Sequence, residues 1–247
     1  MEGYSMGEDY YVTEEERIRQ EIEKEEKKAK KKKSKGRKIL RICVIIGLFL
    51  VAAFVIYYEL CKEYGVKVRK PVLYLYPEET TEVSVRLDFD GELTATYPKY
   101  QDGWQVTARP DGTLTDAEGK AYNYLYWEGE SATKYDMAEG FCVKGDETAE
   151  FLEWALEELG LNRREANEFI VYWLPLMEDN PYNVICFQTN AYTEQAKLFI
   201  DPEPDTVIRV FMTWYGSKKP VEIPKQELIS LERIGFTVVE WGGSEVR

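Results

Sequence analysis

Ser131-Ala-Thr-Lys134 has the S-x-x-K spacing in which a lysine one helical turn from a serine takes the hydroxyl proton and creates a nucleophile. The companion S-D-N and K-T-G motifs are missing, and the flanking residues read as a loop after a strand rather than a helix. Other nucleophile schemes are closed. The 247-residue chain has no histidine, which removes Ser-His-Asp and Cys-His pairs and every histidine-ligated metal centre. Paired carboxylates stay open, because glycoside hydrolysis needs only two acids at a set separation and the chain has 45. Glu128, beside Trp127 in YLYWEGE, and Glu178, just before Asp179-Asn180-Pro181, are the first candidates.

Other constellations are weaker. Asp88-Phe-Asp90 matches the D-x-D of metal-dependent sugar transferases, yet it reads better as a strand end running into an Asp-Gly turn. Asp201-Pro-Glu-Pro-Asp205 could gather oxygens for Ca²⁺, or form a rigid polar connection between strands. No metal site and no cofactor is expected. Aromatic residues make up 14% of the chain, and Trp127, Tyr126 and Trp104 are candidates for a platform that stacks on sugar rings or anchors a protein partner. Core packing is the default for residues that alternate along strands. Cys142 and Cys186 could form a disulfide in an oxidising compartment, or remain two buried thiols.

These residues must be positioned by an α+β domain. Val83, Val85, Leu87 and Phe89 alternate with polar residues, as do Trp104, Val106 and Ala108, and Tyr122, Tyr124 and Tyr126; turn signals separate the runs. A meander or sandwich-like sheet follows from that spacing. Leu152, Ala155, Leu156 and Leu159 fall at helical spacing, with Asp146 to cap the start and Gly160 the end. Asn162 and Glu165 form a capping-box pattern before a second helix, which Pro175 should break or kink. Strands then return at 183–188, 196–200, 207–214 and 236–241. The expected fold is antiparallel β-strands with an inserted helical hairpin.

Charge divides the chain into blocks. Residues 1–26 carry ten acids and three bases, 27–41 ten bases and no acid, and the remainder 35 acids and 19 bases. The run ICVIIGLFLVAAFVIYY (42–58) is free of charge, and extension to Ile39 gives twenty residues, roughly 30 Å of helix. One transmembrane helix, 39–58, acting as an uncleaved signal anchor is expected from this, with lipid bilayer as its surroundings. The basic run before it places the N-terminus in the cytoplasm and the C-terminal domain outside. Lys27 to Arg41 could also hold anionic lipid headgroups. The expected organisation is a charged cytoplasmic tail with helical character (1–38), the span (39–58), a linker (59–69), a β-rich part (70–143) and an α+β part (144–247). Overall acidity argues against nucleic acid.

KPVLYLYPEE (70–79), GWQVTARPDG (103–112), YNYLYWEG (122–129), YWLPLMEDNPYNVICF (172–187) and IDPEPDTVIRVFM (200–212) together resemble an uncharacterised family of predicted bacterial membrane-anchored envelope proteins. The resemblance covers about 70–241 and implies a surface location and domain limits. It implies no activity and no site residue. The functional expectation is therefore a single-pass plasma-membrane protein whose acidic extracytoplasmic domain binds an envelope polymer or a protein partner. The alternative is a cell-envelope hydrolase using paired carboxylates or the Ser131–Lys134 dyad.

Overall fold

The continuous apolar run at the end of β1 (Val66–Tyr76) fixes the architecture of the C-terminal part of the chain. Val72 and Tyr74 point to one side of the sheet and Leu73 and Leu75 to the other, and all four are buried. A strand buried on both faces needs a layer on each. The computed structural model, which describes residues 17, 19, 23–25, 27, 28, 30, 31, 44–57, 66–188 and 190–246, supplies both layers.

Sheet A has seven strands in the order β3 (Glu92–Tyr97), β7 (Leu125–Ser131), β1, β12 (Thr237–Glu245), β11 (Thr206–Ser217), β9 (Tyr182–Gln188) and β8 (Phe141–Lys144). On one face lie α1 (Thr148–Glu158) and α2 (Arg163–Met177), whose Leu152, Leu156, Phe169 and Trp173 pack on Tyr74, Val239 and Trp241. On the other face lies sheet B, in the order β10 (Ala196–Asp201), β2 (Thr81–Phe89), β4 (Trp104–Ala108), β5 (Leu114–Thr115) and β6 (Ala121–Tyr122). Val83, Val85, Leu87, Trp104 and Val106 face Leu73, Leu75, Phe211 and Val238 across this second core. Each such side chain stabilises by roughly 1.5–3 kcal/mol when fully buried. A short α3 (Asn190–Gln195) leads into β10.

The α+β expectation is corrected by this arrangement: the fold is mainly β, with twelve strands in two sheets among the described residues and few helices. The helical hairpin is present but forms only an outer layer over a sheet that draws strands from both sides of it. The pairing is antiparallel except for β11 and β12, which run parallel because the long 218–236 connection carries the chain back to the starting end. Asp146 does not cap α1; it lies in a preceding 3₁₀ turn, and the N-cap Glu147 makes no side-chain cap bond. Gly160, at φ +85°, ends the helix as expected, because the left-handed conformation costs glycine little. Both arms of the Asn162–Glu165 capping box are formed. Helix α2 continues two residues past Pro175, whose missing N–H falls in the last turn.

The transmembrane helix is also corrected. Residues 1–63 form a separate compact unit from 64–247. Within it, the apolar helix covers 44–57, fourteen residues or roughly 21 Å. No helix among the described residues is long and apolar enough to cross a membrane. The remaining residues of the expected span, 39–43 and 58, lie outside the described ones, as does most of the basic run. Of the charged helix, Lys27 pairs with Glu23 one turn before it.

Candidate functional site

The catalytic candidates are not brought together. Ser131 ends β7 and its hydroxyl is engaged with the Oγ1 and amide of Thr133, at 3.1 and 3.2 Å. Lys134 follows on non-helical chain, so the S-x-x-K spacing does not put lysine and serine one helical turn apart. Glu128 lies on β7, near one edge of sheet A, while Glu178 caps the end of α2 with its carbonyl close to Gly145 beyond β8, the opposite edge. Five inter-strand steps separate those strands, on the order of 20 Å. A glycosidase pair must lie within about 10 Å.

Glu128 has a local task instead. Lys70 sits at φ 60° in a bulge of β1, where its register with both β7 and β12 shifts. The bulge removes the amide of Lys70 from the ladder, and Glu128 Oε1 accepts it at 3.2 Å. Burial and then the hydrogen bond to Glu128 push the Tyr126 hydroxyl above its ordinary range. The ammonium of Lys70 lies 5.4 Å from the ring centres of both Tyr126 and Tyr172. A cavity of 310 Å³ opens beside this cluster, but its charged groups already have partners, such as Lys67 with Glu130 at 3.5 Å.

The aromatic candidates belong to the interior. Trp127 is buried and donates to Glu240 at 3.0 Å; Trp104 is buried and donates to the Pro98 carbonyl at 2.8 Å; Tyr126 packs towards the helices. Cys142 and Cys186 are both free thiols. Cys142 pairs with Val184, so Cys186 is its diagonal neighbour on the adjacent strand. Diagonal positions stand about 7–8 Å apart, further than most disulfides span. Asp201 and Asp205 also diverge. Asp205 accepts the Phe236 amide at 2.8 Å, whereas Asp201 faces outward from sheet B. Among the described residues no three Cys, Asp or Glu side chains converge as metal ligands.

What the pairing does assemble is a trough on the outer face of sheet B. Strand β2 turns Val83, Val85 and Leu87 inward, which leaves Glu82, Ser84, Arg86 and Asp88 exposed. Register then aligns them in rows: Asp201, Ser84 and Gln105; Phe199 and Arg86; Glu82, Thr107 and Thr115. Two adjoining hollows of 650 and 340 Å³ run across these rows, and a third of 610 Å³ lies along edge strand β10, between it and Val207 and Arg209 of β11; Asp201 lines all three. Phe199 is 45% exposed, with the guanidinium of Arg86 stacked 4.0 Å from its ring centre. Ser84, Gln105, Thr107 and Thr115 give no side-chain hydrogen bond to another described residue. At the far end, Asp116 accepts from Tyr122 and from the Lys120 and Glu118 amides, bonds that hold its carboxyl below the usual range. That direction is opposite to what a general acid needs.

Apart from Asp201, Asp88 and Trp104, no trough residue is marked in the sequence as a candidate for chemistry or binding. Phe199 had a legible signal: Leu198 and Ile200 point inward, so an aromatic between them must point out. No known protein-family model and no solved structure matches this chain. It is similar to a protein of Butyrivibrio fibrisolvens described as an uncharacterized protein in the bglA 3' region, with 50% identity over 64 residues. The match takes in 25% of this chain and 66% of that protein, so the chain spans just under two thirds of its relative's length.

Proposed function

We propose that the domain is a binding module which holds a cell-envelope polysaccharide in the trough on sheet B, at a membrane to which the apolar segment 44–57 tethers it. The observation that carries this reading is the set of hydroxyl and amide groups on Ser84, Gln105, Thr107 and Thr115, aligned in rows and unspent on the protein itself. Sugar hydroxyls need such donors and acceptors at regular spacing, plus a flat apolar surface for the ring face, which Phe199 offers. Arg86 braces that ring, so little entropy remains to be lost on binding.

The test is retention of the full-length protein, in detergent micelles, on insoluble cell-wall polymer. The expected result is retention without release of soluble fragments, and a loss of about tenfold in affinity for Phe199→Ala or Gln105→Ala. Equal retention of the double variant would remove the trough from consideration, and release of soluble sugar would show a hydrolase instead.

A further inference from the structure

The trough is defined by its free hydroxyls, its amide and Phe199, but its charge restricts what can lie in it. The 340 Å³ hollow is lined by Glu82, Asp116 and Asp201 and by no basic residue. The 650 Å³ hollow sets Asp102, Asp116, Glu118 and Asp201 against Arg86 and Lys99, and the 610 Å³ hollow sets Asp201 and Glu203 against Lys197 and Arg209, of which Arg209 is already paired with Glu240. From residue 42 onward the chain carries 35 acids and 19 bases, so the surrounding field has the same sign. A polyanion entering the trough meets repulsion from groups within a Debye length, about 10 Å at 0.1 M salt. Neutral sugars meet none, and protonated amines are attracted.

We infer that the trough selects a polysaccharide without anionic groups, and that free amines on the sugars add affinity; this rests on the polymer-binding reading above. Glu82 and Asp201 are the groups to alter. They stand in neighbouring rows with Ser84 between them on β2, and both are exposed, so neither substitution opens a cavity.

The experiment titrates the full-length protein in nonionic detergent with three soluble probes: N-acetylated chito-oligosaccharide, its deacetylated amine form, and oligogalacturonate. At low salt the amine form should bind about tenfold more tightly than the acetylated form, and this advantage should vanish at high salt. Oligogalacturonate should not bind at low salt. In the double variant Glu82→Gln, Asp201→Asn the ratio of amine to acetyl affinity should fall towards one. Binding of oligogalacturonate as tight as that of the acetylated probe at low salt overturns the inference, and so does an unchanged ratio in the variant; in either case the polymer-binding reading survives. Failure of all three probes to bind, with the fold intact by circular dichroism, brings down that reading and this inference together.

Discussion

Glu240 shows how much a single side chain can hold in this fold. It is fully buried on β12, opposite Arg209 on the parallel strand β11, and accepts from Arg209 Nε at 2.7 Å, Tyr192 at 3.0 Å and Trp127 at 3.0 Å. Burial works against the charge of Arg209, but Glu240 and Tyr192 outweigh it and keep the guanidinium protonated. Burial and Glu240 likewise keep the Tyr192 phenol neutral. Replacing Glu240 by Ala strands the arginine charge in the core. A loss of roughly 3–5 kcal/mol is expected, read from the denaturant midpoint, while Glu240→Ala with Arg209→Met should recover much of it. Cys186 carries a pH prediction. Burial first, then Glu139 and Asp136, push its thiol up to about 11 from an ordinary 9.0. The unfolded chain therefore releases this proton first as pH rises. The stability it contributes is complete below pH 9 and lost between about pH 9 and 11, on the order of 2–3 kcal/mol. The midpoint of Cys186→Ala should fall less over that window than that of the unaltered protein; parallel curves would sink the assignment.

At the scale of elements, local signals were legible and long-range pairing was not. The period-2 run of Val83, Val85 and Leu87 predicted β2 and its buried face, because alternation is enforced by the strand itself. The capping box at Asn162 was equally plain, since its two bonds span three residues. Asn162→Ala should cost about 1 kcal/mol, and Asn162→Asp much less; thermal unfolding checks both. The trough has no local signal, for the opposite reason. Its rows join Ser84, Gln105 and Asp201, and no local pattern states that β10 pairs with β2 more than a hundred residues earlier. Glu128 is legible as an acid beside Trp127, but its work depends on a bulge at Lys70 that only the pairing of β1 reveals. Trp127 and Trp104 are platform candidates by residue type and core residues by their alternation along strands, and both are buried. Twelve strands came out of an α+β expectation because two-residue strands such as β5 and β6 are too short to have a period.

At the scale of the whole molecule, the unit of residues 1–63 and that of 64–247 pose different physical demands. The second gathers its buried apolar side chains in two cores, although single residues such as Val171, Ile229 and Ile234 stay exposed. The first carries Leu48, Phe49 and Phe54 at 66–74% exposure on one helix, a surface that water does not tolerate uncovered. Lipid is the cover that the proposed tether invokes, and the ten bases of residues 27–41 suit the surface of an anionic leaflet. The two contributions separate by salt. Apolar burial is nearly indifferent to it, whereas attraction of the basic run, about 1 kcal/mol per residue at the surface, is screened over roughly 10 Å at 0.1 M. The full-length protein should therefore sediment with anionic vesicles at both low and high salt. Deletion of 44–57 should leave sedimentation at low salt only, and replacement of the lysines at 30–33 should weaken that remainder in turn. If the deletion variant still sediments at high salt, the tether lies elsewhere in the chain, and the domain's place at a membrane must be argued from another segment.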